Sequence, residues 1–268
     1  MKKARALLLT AFAAILLASL LFVGGCGNQP EEKSDETEKQ QKSLFAYVGA
    51  NLKEPVSEIA ASYEKKTGVK VELTFNNSGA ILNQIEMSKK GDICIPGGMP
   101  FVEKAKEKNF VDQVVGPIAY HTPVIITPEG NPAQISVVED LAKEGVKLVM
   151  PDQEATAIGK SATSVFAKIG KTAEIEKNVI ASLESPAKVL AAIEMGQGNA
   201  GIVEVSNTIN NDKIEVVEID PQVNVIDQIP VVSLVYTKDK ELTSDFLEYV
   251  EDNGPAVFKK YGFKIEKP

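Results

Sequence analysis

From Leu44 onward the sequence alternates between apolar runs typical of strands and amphipathic stretches typical of helices. The run "SLFAYVG" is followed by "LKEPVSEIAASYEKKTG", in which Val56, Ile59 and Tyr63 recur at helical spacing before Gly68 ends the pattern. The same order returns in "VKVELTF" with "SGAILNQIEMSKKG", and in "VKLVMP" with "IGKSATSVFAKIG". This alternation predicts an α/β fold, in which sheets are covered by helices.

The N-terminus has the layout of an export signal. Lys2, Lys3 and Arg5 precede an uncharged apolar stretch over residues 6–23, and two glycines stand directly before Cys26. The motif "VGGC" resembles a bacterial lipobox, where the chain is cut before the cysteine and its thiol carries lipid such as palmitate. We therefore predict a lipoprotein signal peptide over residues 1–25. The alternative is an uncleaved N-terminal anchor, and both readings place the remaining chain outside the cytoplasmic membrane and tethered to it.

Residues 26–43 are rich in Glu, Lys, Gln and Ser, which predicts a disordered tether before a body of one large domain or two lobes. Loss of Lys2, Lys3 and Arg5 leaves 26 of 29 basic residues against 37 acidic ones, a net charge of −11. Because no basic patch stands out, nucleic acid is not an expected partner. The other cysteine, Cys94 in "ICIP", is expected to be a buried thiol.

The body has no arginine, because Arg5 is the single arginine of the chain and leaves with the signal. Arginine is the usual bidentate clamp for carboxylates and phosphates. Any anion that this protein binds must therefore be held by backbone N–H groups, hydroxyls, amides or lysine.

Four junctions share one local design, in which a strand ends, small or polar residues follow, and a helix begins. They surround Asn51 in "VGANLKEP", Ser78 in "FNNSGAI", Ile158 in "EATAIGKSA" and Ser185 in "LESPAKVL". Helix N-termini carry unpaired N–H groups and a partial positive charge, and ligands of α/β sheets bind beyond the carboxyl ends of strands. If the four junctions converge, they can hold an oxyanion without arginine. Taken singly, each is explained by ordinary helix capping.

Several segments resemble, in order and spacing, the periplasmic molybdate-binding proteins of ABC importers. They are "FAYVGANLKEPVSEIAASYEKKTGVKVELTFNNSGAILNQIE", "KKGDICIPGG", "EDLAKEGVKLVMPDQEATAIGKSA", "AGIVEVSN" and "FKKYGFKI", and they span residues 44–265. The resemblance implies the type II periplasmic-binding-protein fold, with two lobes, each a mixed sheet flanked by helices, and a ligand cleft between them. We predict lobe 1 over residues 44–120 and 232–268 and lobe 2 over 121–231, with hinges near residues 120–124 and 229–233.

The resemblance also implies a function, that of a lipid-anchored, extracytoplasmic solute-binding protein. It would capture molybdate or tungstate and deliver it to a membrane ABC permease, as a monomer without cofactor or enzymatic activity. Carried over by position, the ligand contacts fall on Asn51, Asn77, Ser78, Gly97 and Ile158.

Two positions depart from the family pattern. A tyrosine that gives a hydroxyl to the anion aligns with Glu204 in "GIVEV", and a backbone donor aligns with Pro186, which has no N–H. Glu204 would be repelled by the anion, protonate to become a donor, or coordinate the metal centre directly, as carboxylates do in related archaeal tungstate-binding proteins. If the alignment is off by one residue, Glu204 faces solvent and Ser206 or Asn207 takes its place.

Other functions remain open at this point. The site could be rebuilt around Glu204 for a different small ligand, or the chain could be a sensory lipoprotein that takes no part in transport. An enzyme is less well supported, because His121 is the single histidine and neither G-x-S-x-G nor H-E-x-x-H occurs. We expect His121 to be structural.

Overall fold

The computed structural model describes residues 42–267. The predicted signal peptide, the lipidation site Cys26 and the tether through residue 41 lie outside the described residues, and Ser43 is already the first residue of a strand. Within residues 42–267, no helix is long and apolar enough to cross a membrane.

The described residues form ten strands and seven α-helices, joined by short loops and three 3-10 helices. The strands are β1 Ser43–Gly49, β2 Lys70–Asn76, β3 Ile93–Ile95, β4 Val111–His121, β5 Pro123–Pro128, β6 Leu148–Pro151, β7 Val179–Leu183, β8 Ala200–Glu204, β9 Ile214–Glu218 and β10 Asp227–Leu234. The helices are α1 Lys53–Thr67, α2 Ser78–Ser88, α3 Met99–Glu107, α4 Ala157–Lys168, α5 Thr172–Glu176, α6 Pro186–Glu194 and α7 Lys240–Lys260. The 3-10 helices are Ala50–Leu52, Val138–Ala142 and Val205–Thr208.

The first lobe is built on a sheet with strand order β2-β1-β3-β10-β4. Strands β1, β2 and β3 are parallel, whereas β10 runs antiparallel to β3 and β4. Helix α1 buries Val56, Ile59 and Tyr63, the positions that the helical spacing indicates. The Tyr63 ring packs edge-on against Phe246 of α7 at 4.9 Å between centroids, so the first and last helices close over one core.

The second lobe is built on a sheet with strand order β7-β6-β8-β5-β9. Strand β6 is parallel to β7 and β8, and β5 is antiparallel to β8 and β9. Ile125, Phe166 and Ile202 lie in its core, and α4, α5 and α6 flank the sheet. Two mixed sheets flanked by helices confirm the predicted fold class.

The chain passes between the lobes twice. It leaves the first sheet at His121 and enters the second at Pro123, then returns through residues 219–226 to β10. All of Asp227–Leu234 belongs to the first sheet, so the predicted lobe boundary between residues 231 and 232 falls inside β10. Position Asp227 pairs with His121 in the β10–β4 ladder, which brings both crossings to one place.

Cys94 lies in β3, the third strand along the chain, and is buried. Burial raises the pKa of its thiol to about 12, because the apolar surroundings disfavour the thiolate. The expectation of a buried thiol is confirmed.

Candidate functional site

A pocket lies between the two lobes, and the four strand-to-helix junctions converge on it. It encloses about 390 Å³, including the space at its mouth. Asn51, Ser78, Ile158 and Ser185, one from each junction, all line it. The residues around it are Gly49, Ala50, Asn51, Leu52, Asn77, Ser78, Gly97, His121, Ala155, Thr156, Ala157, Ile158, Glu184, Ser185 and Pro186. The convergence that single junctions could not establish is therefore present in the folded chain.

The first-lobe wall is centred on Ser78. Its Oγ accepts a hydrogen bond from the backbone N–H of Gly97 at 2.9 Å. A hydroxyl both accepts and donates, so Ser78 keeps its own hydrogen for a ligand. The neighbouring Asn77 caps α2, and its side-chain oxygen accepts from the N–H of Ala80 at 2.8 Å. Asn77 thus orients the helix whose first residue carries the hydroxyl.

Asn51 supplies a second donor on this wall. Its Oδ1 accepts from Nδ2 of Asn207 at 2.7 Å, while its own Nδ2 is buried without a hydrogen-bond partner in residues 42–267. A buried amide donor without a partner carries a desolvation cost of about 1–3 kcal/mol. A ligand oxygen in the pocket would remove that cost.

The second-lobe wall is formed by the start of α4. Thr156 caps this helix, its Oγ1 accepting from the N–H of Gly159 at 3.0 Å. The first-turn N–H groups of an α-helix have no intrahelical acceptor, and Ala157 and Ile158 in that turn line the pocket. A Cβ added to Gly159 would lie 2.5 Å from the backbone oxygen of Asp152, so only glycine lets the helix start this close to β6.

The same wall includes the start of α6. Ser185 caps that helix by accepting from the N–H of Lys188 at 3.3 Å, and Pro186 follows as the first helical residue. Pro186 lines the pocket but has no N–H to offer. This junction therefore contributes one donor fewer than the others.

The two walls touch each other around the pocket. The amides of Asn51 and Asn207 join the lobes, and the N–H of Gly79 donates to the carbonyl of Ala155 at 3.4 Å. Lys104 and Glu154 add an ion pair at 3.6 Å on the exposed rim. The lobes are thus closed on one another, with the pocket between them.

Glu204 is placed differently from any position expected of it. Its side chain is fully buried, so the solvent-facing alternative is wrong, and it does not line the pocket. Its Oε2 lies 2.7 Å from Nδ1 of His121, and both carboxylate oxygens accept from the N–H of Thr122, at 2.8 and 3.0 Å. Asn207, one of the two proposed substitutes, contacts Asn51. Across residues 42–267 there is no group of three or more His, Cys, Asp or Glu that could hold a metal ion.

His121 lines the pocket but was not among the predicted ligand contacts. It ends β4, is buried, and lines the pocket, with Nε2 3.7 Å from where a Cβ on Gly97 would lie. Its partner Glu204 is 83 positions away in the chain, so no local pattern reveals the pair. The available signal was its position at the crossing between lobes.

Asp227 is the register partner of His121 in the β10–β4 ladder. Its Oδ1 accepts from the N–H groups of Met99 at 3.2 Å and Gln228 at 2.8 Å, and its Oδ2 is buried without a partner in the described chain. Burial raises the pKa of this carboxyl, while the nearby His121 charge and the two N–H donors act against the rise. His121 therefore contacts one buried carboxyl group, that of Glu204, and interacts electrostatically with a second, that of Asp227.

Comparison with known proteins identifies a family that matches this chain and relatives that are similar to it. The model of a family described as bacterial extracellular solute-binding protein matches residues 44–264. A binding protein of Haemophilus influenzae, named without a ligand, is 28% identical over 228 residues, which cover 84% of this chain and 91% of that one.

The molybdate-binding protein ModA of Escherichia coli is 22% identical over 230 residues, covering 83% of this chain and 89% of the relative. Among solved structures, the substrate-binding domain assigned to a molybdenum ABC transporter of Clostridium difficile superposes with a TM-score of 0.65 at 25% identity. It covers 84% of this chain and 99% of that chain. The chain belongs to the bacterial extracellular solute-binding proteins.

Proposed function

We propose that this protein captures molybdate or tungstate outside the cytoplasmic membrane and delivers it to an ABC permease. The observation that carries the proposal is the convergence of four strand-to-helix junctions on one pocket without arginine. The similarity to molybdate-binding proteins supports the same ligand class.

The donors around the pocket suit a tetrahedral dianion. Such an anion offers only acceptor oxygens, and Ser78, Asn51 and the first turn of α4 offer hydroxyl, amide and backbone hydrogens. Hydrogen bonds to a charged partner contribute about 1.5–3 kcal/mol each, and helix N-termini add a partial positive charge. Burial of the anion between closed lobes is offset by these donors rather than by a counter-charge from arginine.

The acidic surface is compatible with anion capture. Surface charges are screened beyond about 8 Å at physiological ionic strength, whereas the pocket donors act at hydrogen-bond distance. The net negative charge should instead slow association of a dianion at low salt. Stopped-flow capture of molybdate should therefore become faster as salt is added.

The experiment is a calorimetric titration of the mature chain carrying Cys26→Ser, with molybdate, tungstate, sulfate and phosphate in turn. We expect molybdate and tungstate to bind at least about a hundredfold more tightly than sulfate, a difference of about 2.7 kcal/mol. Equal affinity for all four anions, or no binding of any, would refute the proposed ligand.

A different small anion is the second candidate. It is favoured by the His121–Glu204 pair beside the pocket and by Pro186, which together alter the donor set expected for molybdate. In the same titrations this candidate predicts that phosphate, which can itself carry a proton, binds more tightly than molybdate.

We propose that the N-terminus anchors the protein through lipid on Cys26, with the folded body as a monomer. A multiply acylated cysteine would hold firmly, since each buried CH₂ contributes about 0.8 kcal/mol. Expression of Cys26→Ser should release the protein from the membrane fraction, whereas Cys94→Ser should leave it there. Retention of Cys26→Ser would favour the uncleaved-anchor alternative.

A further inference from the structure

The contact between His121 and Glu204 has a defined proton requirement. Nδ1 and Oε2 are 2.7 Å apart, and the two side chains are only 3% and 0% exposed. Neither a ring nitrogen without hydrogen nor a carboxylate oxygen is a donor, so a proton must lie between them at this distance. The N–H of Thr122 donates to both carboxylate oxygens, which holds the acid in place.

The other ring nitrogen, Nε2, faces the space where a ligand would sit. The position of a Cβ on Gly97 would be 3.7 Å from His121 Nε2 and 3.1 Å from Ser78 Oγ, so the two groups approach one small volume. Within the described chain, no hydrogen bond to Nε2 is found. Whether this nitrogen donates or accepts depends on how many protons the pair carries.

With one proton on the pair, that proton occupies the contact to Glu204 and Nε2 presents a lone pair to the pocket. With two protons, Nε2 carries a hydrogen, whether the pair is written as imidazolium and carboxylate or as neutral imidazole and carboxylic acid. A dianion has only acceptor oxygens and would be repelled by the lone pair. It is compatible only with the two-proton state.

Several other charged groups lie around the pair. Besides its partner on β8, His121 has Asp227 opposite it in the β4–β10 ladder, and Glu184 lines the same pocket. Glu218 and Lys264 line a separate cavity together with the adjoining Thr122. Asp227 interacts with the ring, because the charge of His121 opposes the rise in the pKa of Asp227 that burial causes.

We propose that His121 donates its Nε2 hydrogen to the bound oxyanion and that Glu204 is the positioning residue that couples anion capture to the uptake of one proton. The inference rests on the proposed function, because it requires an anion in the pocket. It also gives a reason for the buried Glu204 at the position where the family pattern has a tyrosine. The hydroxyl donor of the tyrosine is replaced by Nε2 of His121, whose ring is held in place by Glu204 at Nδ1.

The substitution Glu204→Gln separates positioning from proton uptake. A glutamine can accept from the N–H of Thr122 with Oε1 and donate to His121 Nδ1 with its amide. The neutral imidazole then carries its hydrogen on Nε2 without any added proton. The variant should bind the anion with no proton uptake, although it loses charge assistance.

The test is calorimetry of the mature chain carrying Cys26→Ser with molybdate, from about pH 6 to about pH 9, in buffers of different ionisation enthalpy. Molybdate remains a dianion across this range, so any proton taken up belongs to the protein. In the otherwise unaltered chain, uptake should rise toward one proton per anion as pH increases. Affinity should then fall by up to about tenfold per pH unit.

For Glu204→Gln the same experiment should give near-zero uptake and an affinity that changes less than about twofold across the range. The two affinity curves should cross, the natural pair binding more tightly at low pH and the variant at high pH. Molybdate binding without proton uptake at any pH in the natural pair overturns the inference and leaves the proposed function standing. No binding of molybdate or tungstate overturns both.

A spectroscopic measurement covers the case in which the variant does not fold. The chain has one histidine, so imidazole nitrogen signals of an untagged protein belong to His121 alone. At a pH where calorimetry detects uptake, addition of molybdate should convert Nε2 from an unprotonated to a protonated nitrogen. An Nε2 signal that does not change on binding would contradict the proposed donor.

Discussion

The two walls of the pocket offer an anion different kinds of donor. The first-lobe wall works through side chains, the hydroxyl of Ser78 and the free amide hydrogen of Asn51. The second-lobe wall works through the backbone, at Ala157 and Ile158 in the first turn of α4. Side-chain donors can be removed one at a time, whereas backbone donors depend on how the helix start is packed.

The two walls also differ in the role of their glycines, Gly97 in the first and Gly159 in the second. Gly97 in the first wall keeps space free, since a Cβ there would lie 3.1 Å from the movable Oγ of Ser78. Gly159 in the second wall permits close packing of backbone on backbone, with 2.5 Å from its Cβ position to the carbonyl oxygen of Asp152. The first glycine leaves space beside Ser78 in the pocket, and the second allows the start of α4 to pack closely on the backbone of Asp152.

Asn51→Asp should have the largest effect on affinity. The substitution keeps the side-chain shape but replaces the unpaired donor Nδ2 with a carboxylate oxygen beside the anion. Loss of a hydrogen bond to a charged ligand, together with like-charge repulsion, should weaken molybdate binding at least about a hundredfold. Calorimetric titration measures the change.

The matched control is Asn83→Asp, which adds the same charge at an exposed position in the neighbouring open groove. It should change affinity by less than about twofold, because surface charge is screened. If both substitutions weaken binding equally, the effect is one of overall charge and the first wall has no special donor at Asn51.

Ser78→Ala and Ser185→Ala compare the walls directly. Removing the hydroxyl of Ser78 deletes a donor and leaves the Gly97 N–H without its acceptor, so affinity should fall about 10- to 100-fold. Ser185 caps α6 by accepting from Lys188, so its loss should reduce stability by about 1 kcal/mol with a smaller change in affinity. Urea unfolding and calorimetry on both variants separate the two effects. A larger affinity loss for Ser185→Ala would reverse the assignment of the walls.

Gly97→Ala should mainly lower affinity and Gly159→Ala should mainly lower stability. The change in affinity should be about tenfold or less for both. At Gly97 the added methyl group disturbs Ser78 and intrudes on the ligand space, while stability should be largely retained. At Gly159 the methyl group meets the backbone oxygens of Asp152 and Pro151, so the free energy of unfolding should fall by about 1–3 kcal/mol. Equal destabilisation by both substitutions would contradict the distinct roles of the two glycines.

The features predictable from sequence were those encoded locally. The apolar period placed Val56, Ile59 and Tyr63 on the buried face of α1, and the strand-to-helix junctions identified the helix starts that surround the pocket. Ser185 was expected at such a junction and caps α6. Each of these signals lies within a few residues, where periodicity and capping act.

The features not predictable from sequence depend on distant partners. Glu204 ends β8 and pairs with Pro123 in the β5–β8 ladder, so the long-range pairing of these strands brings it beside His121 at the end of β4. From the sequence alone, a carboxylate without a local partner is expected to face solvent or to contact a ligand. The sequence does not reveal that Glu204 accepts a hydrogen bond from the N–H of Thr122 and contacts His121. Asp227 was overlooked for the same reason, since it faces His121 through the strand ladder.

Pro186→Ala should have the smallest effect and in the opposite direction. The substitution restores an N–H at the first position of α6, beside the pocket, where an anion oxygen can accept from it. Molybdate affinity should rise about threefold. This is less than the gain from a well-aligned hydrogen bond to a charged ligand, because the other contacts of the pocket are not arranged around the new donor. Loss of proline should lower the free energy of unfolding by about 0.4–1 kcal/mol. Pro100→Ala, the same change near the start of α3 and outside the pocket lining, should leave affinity unaltered. If Pro186→Ala also leaves affinity unaltered, the second wall donates hydrogen bonds through α4 alone. The comparison is then between the side chains of the first wall and the N-terminus of one helix, α4, in the second.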